Sequence, residues 1–217
     1  IDPGSYPAFM SLWFEAMDDL GIERGASFDL DYHTIPFHGE DALVQKHYVS
    51  KRSRRQKGVL GFLVQDTETR VFCYANADIR KVEQNDEVLR FVDWWEERTG
   101  RLPEELVFDS KLTTYSNLHE LQARGIQFIT LRRRTKKMLR AFAQLPDSDW
   151  KRIPLDGVYR KSRTPPILDQ QVTLQGYQGP VRQIVIRDLS HEEPTVLLTN
   201  QMKRPPSQLV DRYARRM

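Results

Sequence analysis

Residues 27–35, with the sequence SFDLDYHTI, decide the class of fold. Apolar residues at 28, 30 and 32 alternate with polar residues at 29, 31 and 33, and a period of two predicts a β-strand with one buried face. Asp is depleted in strands, so Asp31 in the middle of this one requires an explanation. The simpler explanation for Asp31 alone is the solvent-facing side of an edge strand, which Asp29 and His33 would share. The alternative is that the fold holds a carboxylate there for a chemical purpose.

A second acid follows a short apolar segment. Leu106, Val107 and Phe108 predict a buried strand, Asp109 ends it, and a loop and a helix follow. In open α/β sheets, ligands bind just beyond the carboxyl ends of the strands, where a carboxylate is well placed to hold a metal ion. The alternative, on these residues alone, is an Asp that caps a turn at the start of a loop.

Together, Asp31 and Asp109 suggest a metal site. Mg²⁺ prefers oxygen ligands, usually one or two carboxylates with waters and substrate phosphates. Two such ions can stabilise the attacking and leaving oxygens of a phosphodiester displacement. That chemistry needs acids that are far apart in the sequence and adjacent in the sheet. The hypothesis therefore requires that the strands of Asp31 and Asp109 are neighbours.

The remaining pattern predicts an α/β fold with a mixed sheet flanked by helices, because three strands precede an alternation of helix and strand. The predicted helices cover residues 8–20, 86–98 and 116–124, and Pro205 and Pro206 open a last one. The predicted strands cover residues 27–35, 59–65, 71–75, 106–108, 126–131, 181–186 and 195–199. Residues 50–57 are expected to form a basic loop, and Asn85 is expected to cap the second helix. The buried stripe of the first helix is expected to be Phe9, Leu12, Trp13, Ala16 and Leu20.

The composition narrows the classes of function. The net charge of +3 is a weak signal, but the positive charge is clustered at 51–57, 132–137, 160–163 and 215–216. Such clusters are usually solvated surface, yet four of them beside two candidate metal ligands favour nucleic acid as the partner. No apolar run approaches the roughly 20 residues of a membrane helix. The single cysteine, Cys73, forms no internal disulfide and makes a structural zinc site improbable, and no phosphate-binding loop motif occurs.

Three segments resemble insertion-sequence transposases of the DDE class. Residues 31–36 (DYHTIP) and 107–115 (VFDSKLTTY) look like the segments around the first and second acids of that family. Residues 197–200 (LLTN) resemble the strand before its last catalytic helix. Residues 213–216 (YARR) resemble the start of its Tyr-x-x-Arg-x-x-x-Glu signature. By that spacing the third acid, a Glu, is expected at position 220, beyond Met217.

The resemblance implies a ribonuclease H-like core with a strand-rich insertion before the last helix. Asp31 and Asp109 would be the first and second ligands of two Mg²⁺ ions, for which Mn²⁺ may substitute. DNA, as transposon ends and as target, would be the partner, and a homodimer could form in the DNA complex. The residues expected to contact DNA are Arg52, Arg54, Arg55, Lys111, Arg132, Arg133, Arg134, Lys136, Lys137, Tyr213 and Arg216.

The expected division of the chain follows from the same resemblance. Residues 1–25 would be the remnant of an N-terminal helical region and 26–131 the first part of the core. Residues 132–194 would form the basic insertion, and 195–217 the last core strand with the start of the catalytic helix. The expected activity is metal-dependent DNA cleavage and strand transfer in the bacterial cytoplasm, near the nucleoid. These 217 residues alone are expected to be inactive, since the third acid is missing. The alternatives are an inactive DNA-binding remnant and a ribonuclease H-like nuclease that only hydrolyses.

Overall fold

The computed structural model describes residues 5–37, 39–40, 44–49, 54–109, 113–155, 163–189 and 193–216. They fall into two compact units, one made of residues 1–104 with 111–114, and one made of residues 105–110 with 115–216. The helices are α1 (Tyr6–Asp19), α2 (Glu87–Thr99), α3 (Tyr115–Ala123), α4 (Lys136–Ala143) and α5 (Pro206–Ala214). The strands are β1 (Ser27–Pro36), β2 (Gln45–Val49), β3 (Arg54–Asp66), β4 (Phe72–Asn76), β5 (Glu105–Phe108), β6 (Gln127–Leu131), β7 (Lys151–Arg152), β8 (Pro166–Leu174), β9 (Tyr177–Ile186) and β10 (Thr195–Thr199). The expected mixed α/β fold is confirmed.

The first unit is built on antiparallel strands. Strand β3 pairs with β1 on one side and with β2 and β4 on the other. Helix α2 covers one face of β1, where the ring of Phe28 lies 4.6 Å from that of Trp95 and 5.4 Å from that of Phe91, centroid to centroid. Such edge-on aromatic pairs add to the gain from burying the rings themselves. This packing fixes which face of β1 is the core face.

Helix α1 buries a different stripe from the expected one. Met10, Phe14 and Met17 are buried, whereas Phe9, Leu12 and Leu20 are among the exposed apolar residues. The helix is apolar on more than one side, so spacing alone does not choose the inner face. The expected stripe at Phe9, Leu12 and Leu20 was therefore wrong.

Two local predictions in the first unit also need correction. The basic segment that was expected to be a loop lies partly in strand β3, which begins at Arg54, and β2 pairs with that part of β3. The cap of α2 is Asp86 rather than Asn85, and the Asp86 side chain makes no capping hydrogen bond. Helix α2 ends at Gly100, which has a φ of 69° in the left-handed region that favours glycine.

The second unit contains the strand order β5-β6-β10-β9-β8-β7. The pair β5–β6 is parallel, and the other pairs are antiparallel. Consecutive residues of β9 enter different cores: Ile184 and Ile186 pack with Leu209 and Val210 of α5, whereas Val185 packs with Phe142 of α4. Helices α4 and α5 therefore cover opposite faces of these strands. The basic region 132–180, which gave no assignment from the sequence, supplies α4, β7 and β8.

Candidate active site

Asp31 lies in the middle of β1, where its Cα faces that of Leu63 in β3. Its side chain is half-buried. By the alternation of a strand it shares a face with Asp29 and His33, opposite the face that packs on α2. The fold thus presents the Asp31 carboxylate on the side of the strand that the aromatic core leaves polar.

Asp29 shows that the simpler explanation of this polar face was incomplete. Its side chain is fully buried, and the Nη1 atom of Arg70 binds its Oδ2 at 3.1 Å. A buried carboxylate requires such a partner, because desolvation of an unpaired charge is costly. This face of β1 is therefore not simply the solvent-facing side of an edge strand.

On the opposite face of β1, hydrogen bonds are made by Tyr32 of the strand and by Glu87 of the helix that covers it. The Tyr32 hydroxyl donates to the Gln84 carbonyl, and Glu87 is fully buried while accepting hydrogen bonds from Tyr74 and Asn76. Burial, assisted by the negative charge of Glu87, raises the pKa of Tyr32 well above its ordinary value. The Tyr32 contact ties β1 to the turn before α2 and so restricts the backbone that carries Asp31, while the Glu87 contacts tie α2 to β4.

Asp109 follows β5 directly and is half-buried. Strand β5 runs parallel to β6, with Phe108 opposite Thr130. The carboxyl ends of parallel neighbours lie at one edge of the sheet, so Asp109 after β5 and Arg132 after β6 share that edge. The structure thereby brings together the second candidate acid and the start of a predicted DNA-binding segment.

The residues of that segment differ in their surroundings. Arg132 is half-buried and donates to the amide oxygen of Gln183. Arg134 pairs with Glu193 at 3.3 Å and donates to the Pro194 carbonyl at 3.2 Å. Arg133 is exposed, as are Lys136 and Lys137 in the first turn of α4. The exposed cations of the segment are therefore the ones best placed to meet a ligand.

Helix α5 carries the other two predicted DNA contacts. Tyr213 is half-buried and packs on the core that contains Val107 and Ile129. The guanidinium carbon of Arg216 lies 4.8 Å from the centroid of the Tyr213 ring, a distance that allows a cation–π contact. Tyr213 and Arg216 are therefore neighbours in space.

A buried ionic network, which the sequence did not indicate, fixes α5 to β5. Glu105 is 6% exposed and binds Arg204 and Arg212, each at 2.7 Å, and it accepts a third hydrogen bond from Gln201. The segment that leads into α5 is held as well, by Arg182. Arg182 binds Asp169 through two nitrogens, at 2.9 and 2.6 Å, and donates to the carbonyls of residues 201, 202 and 204. In the sequence, the local sign of this network was one charged residue, Glu105, next to the apolar residues of β5.

The remaining residues that were predicted to contact DNA are Arg52, Arg54, Arg55 and Lys111. Arg55 is exposed on β3. Arg54 starts β3, and Arg52 and Lys111 lie outside the described residues. Asp31 belongs to the first unit and Asp109 to the second, so their sharing of a metal pair stays a prediction.

Two features are absent from the described residues. Within them, no group of three or more His, Cys, Asp or Glu side chains is arranged to hold a metal ion. None of the helices described here has the length and apolar character needed to cross a membrane. Asp31 and Asp109 each present a half-buried carboxylate, and carboxylate oxygens are ligands that Mg²⁺ prefers.

Comparison with solved structures identifies the class of fold. The chain is similar to the transposase in the cryo-EM structure of the piggyBac transposase synaptic complex with hairpin DNA, with a TM-score of 0.53 and 12% sequence identity. The alignment covers 99% of this chain and 45% of that one, so the chain spans less than half of that protein's length. At this identity the similarity shows the fold alone, and the fold is that of a transposase.

A match in sequence identifies the family to which the chain belongs. The profile of the family described as "Transposase DDE domain" matches residues 26–217. The chain therefore belongs to the DDE transposase domain family, as its acid-containing segments suggested. No curated protein matches the chain in sequence.

Proposed function

We propose that this chain is the catalytic region of a cut-and-paste transposase, which cleaves DNA at the ends of a mobile element and transfers the strands to a target. The proposal rests on the carboxyl ends of β5 and β6, which lie side by side because the two strands are parallel neighbours. There, Asp109 and the Arg132–Arg134 segment follow neighbouring parallel strands. A carboxylate beside clustered cations suits a phosphodiester substrate, because the carboxylate can hold a metal ion while the cations bind phosphates.

Asp31 and Asp109 are the residues that would hold two Mg²⁺ ions, or Mn²⁺ in their place. When bound, such ions activate a nucleophile and stabilise the charge that develops on the leaving oxygen. The chain itself contributes rigidity. Asp31 lies on a strand that is fixed by the Tyr32–Gln84 and Asp29–Arg70 contacts. Asp109 follows a strand that is anchored at its other end by Glu105. Carboxylates on fixed backbone lose little freedom when they coordinate an ion.

The exposed cations would hold DNA without reading its sequence. Arg55, Arg133, Lys136 and Lys137 are exposed, and contacts of such residues to phosphates position DNA but carry no sequence information. Tyr213 and Arg216 would contact the transposon end from α5. Strong salt dependence of binding is the expected consequence.

The third acid of the family signature belongs to the same proposal. A Glu at position 220 would lie seven residues, about two helical turns, after Tyr213, and so on the same helix face. Two carboxylates leave more of the repulsion between two divalent ions uncompensated than three would. We therefore expect essentially no DNA cleavage by residues 1–217 alone, and activity when α5 is extended to place Glu at position 220.

Metal binding tests the role of the two acids directly. Titration of the chain with Mn²⁺, followed by electron paramagnetic resonance, should show binding that Asp31→Asn and Asp109→Asn each weaken strongly. Asp147→Asn is the matched control, since it removes the same charge at a site that is 91% exposed. Equal Mn²⁺ binding by all three variants and the original chain would contradict the metal assignment.

A plasmid assay separates the proposal from its alternatives. The chain extended to Glu at position 220 should join the 3′ ends of donor duplexes to a plasmid, and Asp109→Asn should abolish the joining. Plasmid nicking without joining would indicate a nuclease that only hydrolyses. Metal-independent DNA binding without either reaction would indicate an inactive remnant.

The setting of the activity is part of the proposal. A bacterial cytoplasmic protein near the nucleoid, acting as a homodimer on DNA, suits a transposase of this family. The division at residues 25, 131 and 194 into N-terminal remnant, core, insertion and catalytic helix is also proposed on the family's pattern.

A further inference from the structure

Strands β2 and β3 form a two-stranded ribbon past the end of β1. The β1–β3 ladder ends where Pro36 faces Gly58. Beyond that point, residues 54–57 of β3 pair with β2, from Lys46–Lys57 to Val49–Arg54. A backbone hydrogen bond joins this part to the chain just after β1, from Phe37 to the Lys57 carbonyl at 3.3 Å. A two-stranded ribbon is one of the two elements that fit the major groove of DNA.

Residues on the two faces of the ribbon differ in exposure. Lys46 and Lys57 are direct partners across the ladder and therefore share a face, and Arg55 lies two residues from Lys57 on that same face. All three side chains are exposed. On the other face His47 is buried, and burial, assisted by the charge of Lys81, lowers the pKa of its imidazole. One face thus carries three exposed cations, and the other carries the buried His47.

The cationic face has a cost within the protein. Like charges directly opposite each other in a sheet are destabilising, and Lys46 faces Lys57. None of the ion pairs formed within the described part of the chain involves Lys46, Arg55 or Lys57. An anion bound to this face would offset the repulsion between these cations.

We propose that the face made by Lys46, Arg55 and Lys57 binds the phosphate backbone of duplex DNA as the ribbon lies along a groove. This rests on the proposed function, since it extends the DNA contact proposed for Arg55 to Lys46 and Lys57 on the same face of the ribbon. A polyanionic backbone suits a row of cations, because each phosphate contact releases condensed counterions. A protein partner suits the face less well, because the cores of protein interfaces are depleted of Lys.

Salt-dependent binding to a random-sequence duplex tests the inference. In the triple variant Lys46→Gln, Arg55→Gln and Lys57→Gln, DNA binding at low salt should be weaker by about tenfold or more. The magnitude of the negative slope of log K against log salt should decrease by up to about 2.7. The control triple variant Lys151→Gln, Arg152→Gln and Lys203→Gln removes the same charge from other exposed or strand positions and should keep the original slope. Thermal unfolding by circular dichroism checks that both variants are folded.

The outcomes separate the two proposals. No DNA binding by the original chain would contradict the proposed function itself. Strong binding by the original chain, with an unchanged slope in the ribbon variant, would overturn the ribbon inference alone.

Cross-linking gives a second readout that does not depend on affinity. The only native cysteine, Cys73, is 1% exposed, so a new surface cysteine reacts selectively. Lys57→Cys should form a mixed disulfide with a duplex that carries an activated disulfide tethered to its backbone, with release of the small leaving thiol, and Lys151→Cys should not. Equal yields at the two positions would also overturn the inference.

Discussion

Arg212 and Glu105 lie 107 positions apart in the sequence, and Nε of Arg212 donates a hydrogen bond to Oε1 of Glu105 at 2.7 Å. The Glu105 side chain is 8% exposed and that of Arg212 is 10% exposed, so the pair is shielded from water. Arg204 binds the other oxygen of the same carboxylate. The beginning of β5 and the helix that carries Tyr213 are thereby fixed by one buried anion.

Glu105→Gln should lower the free energy of unfolding by about 3 kcal/mol, because removing one partner of a buried ion pair leaves the other charge uncompensated. Urea unfolding followed by circular dichroism measures this change. Asp147→Asn, which breaks the exposed Arg187–Asp147 pair, is the control and should have a much smaller effect, since surface pairs contribute little. If the two variants lost the same stability, the network would not be what holds α5.

Gly58→Ala should destabilise the chain by about 1–3 kcal/mol, as overpacking does in general. A Cβ at this position would overlap the carbonyl oxygen of Ile35, a backbone atom that cannot move without shifting β1. Gly61→Ala on the same strand is the matched control. Its nearest neighbour would be the His33 carbonyl oxygen at 3.6 Å, an ordinary contact. Thermal unfolding should therefore separate the two variants, and similar melting temperatures would mean that β1 is free to shift at its end.

The sequence predicted the elements whose pattern is local. The bounds of β10 were predicted correctly and those of β1 to within one residue, because both strands have a clear apolar pattern. Strand β2 (QKHYV) was missed because it is mostly polar and gains its order by pairing with β3. The inner face of α1 was predicted wrongly because the helix is apolar on more than one side.

The candidate site likewise contains residues that the sequence indicated and residues that it did not. Asp109 was recognisable because an acid at the end of a buried strand is a local signal. The Glu105–Arg204–Arg212 network was not, because it joins residues about a hundred positions apart and each of them alone resembles an ordinary surface charge. Long-range ion pairs follow from the folded topology, which single-sequence patterns do not specify.

Stability should fall between pH 10 and pH 12 in a way that depends on Tyr177. Burial raises the pKa of Tyr177 from its ordinary 10.0 to about 12, and its hydroxyl donates to the Gln122 side chain. The unfolded chain then loses this proton at lower pH than the folded chain. The stabilising contribution is complete below pH 10 and is lost as the pH rises towards 12. Burial also raises the pKa values of Tyr32 and Tyr74, so they act in the same direction.

Urea unfolding at a series of alkaline pH values measures this dependence. Tyr177→Phe should show a shallower loss of stability over that range than the original chain, without abolishing it. An unchanged slope in Tyr177→Phe would show that the phenol of Tyr177 does not contribute.

Among the three consecutive arginines 132–134, Arg133 should matter most for DNA binding. Replacing all three with Ala should weaken binding to any sequence about equally, since phosphate contacts carry no sequence information. The single variants should differ, however, because Arg132 is half-buried against Gln183, and Arg134, although exposed like Arg133, pairs with Glu193. Arg133→Ala should reduce the salt slope by about 0.9, the contribution of one phosphate contact. Arg132→Ala should instead lower the melting temperature, with less effect on the slope.

Fluorescence anisotropy over a salt series, paired with thermal unfolding of each variant, measures both quantities. A slope that falls as far in Arg132→Ala as in Arg133→Ala would mean that Arg132 exchanges Gln183 for DNA when the complex forms.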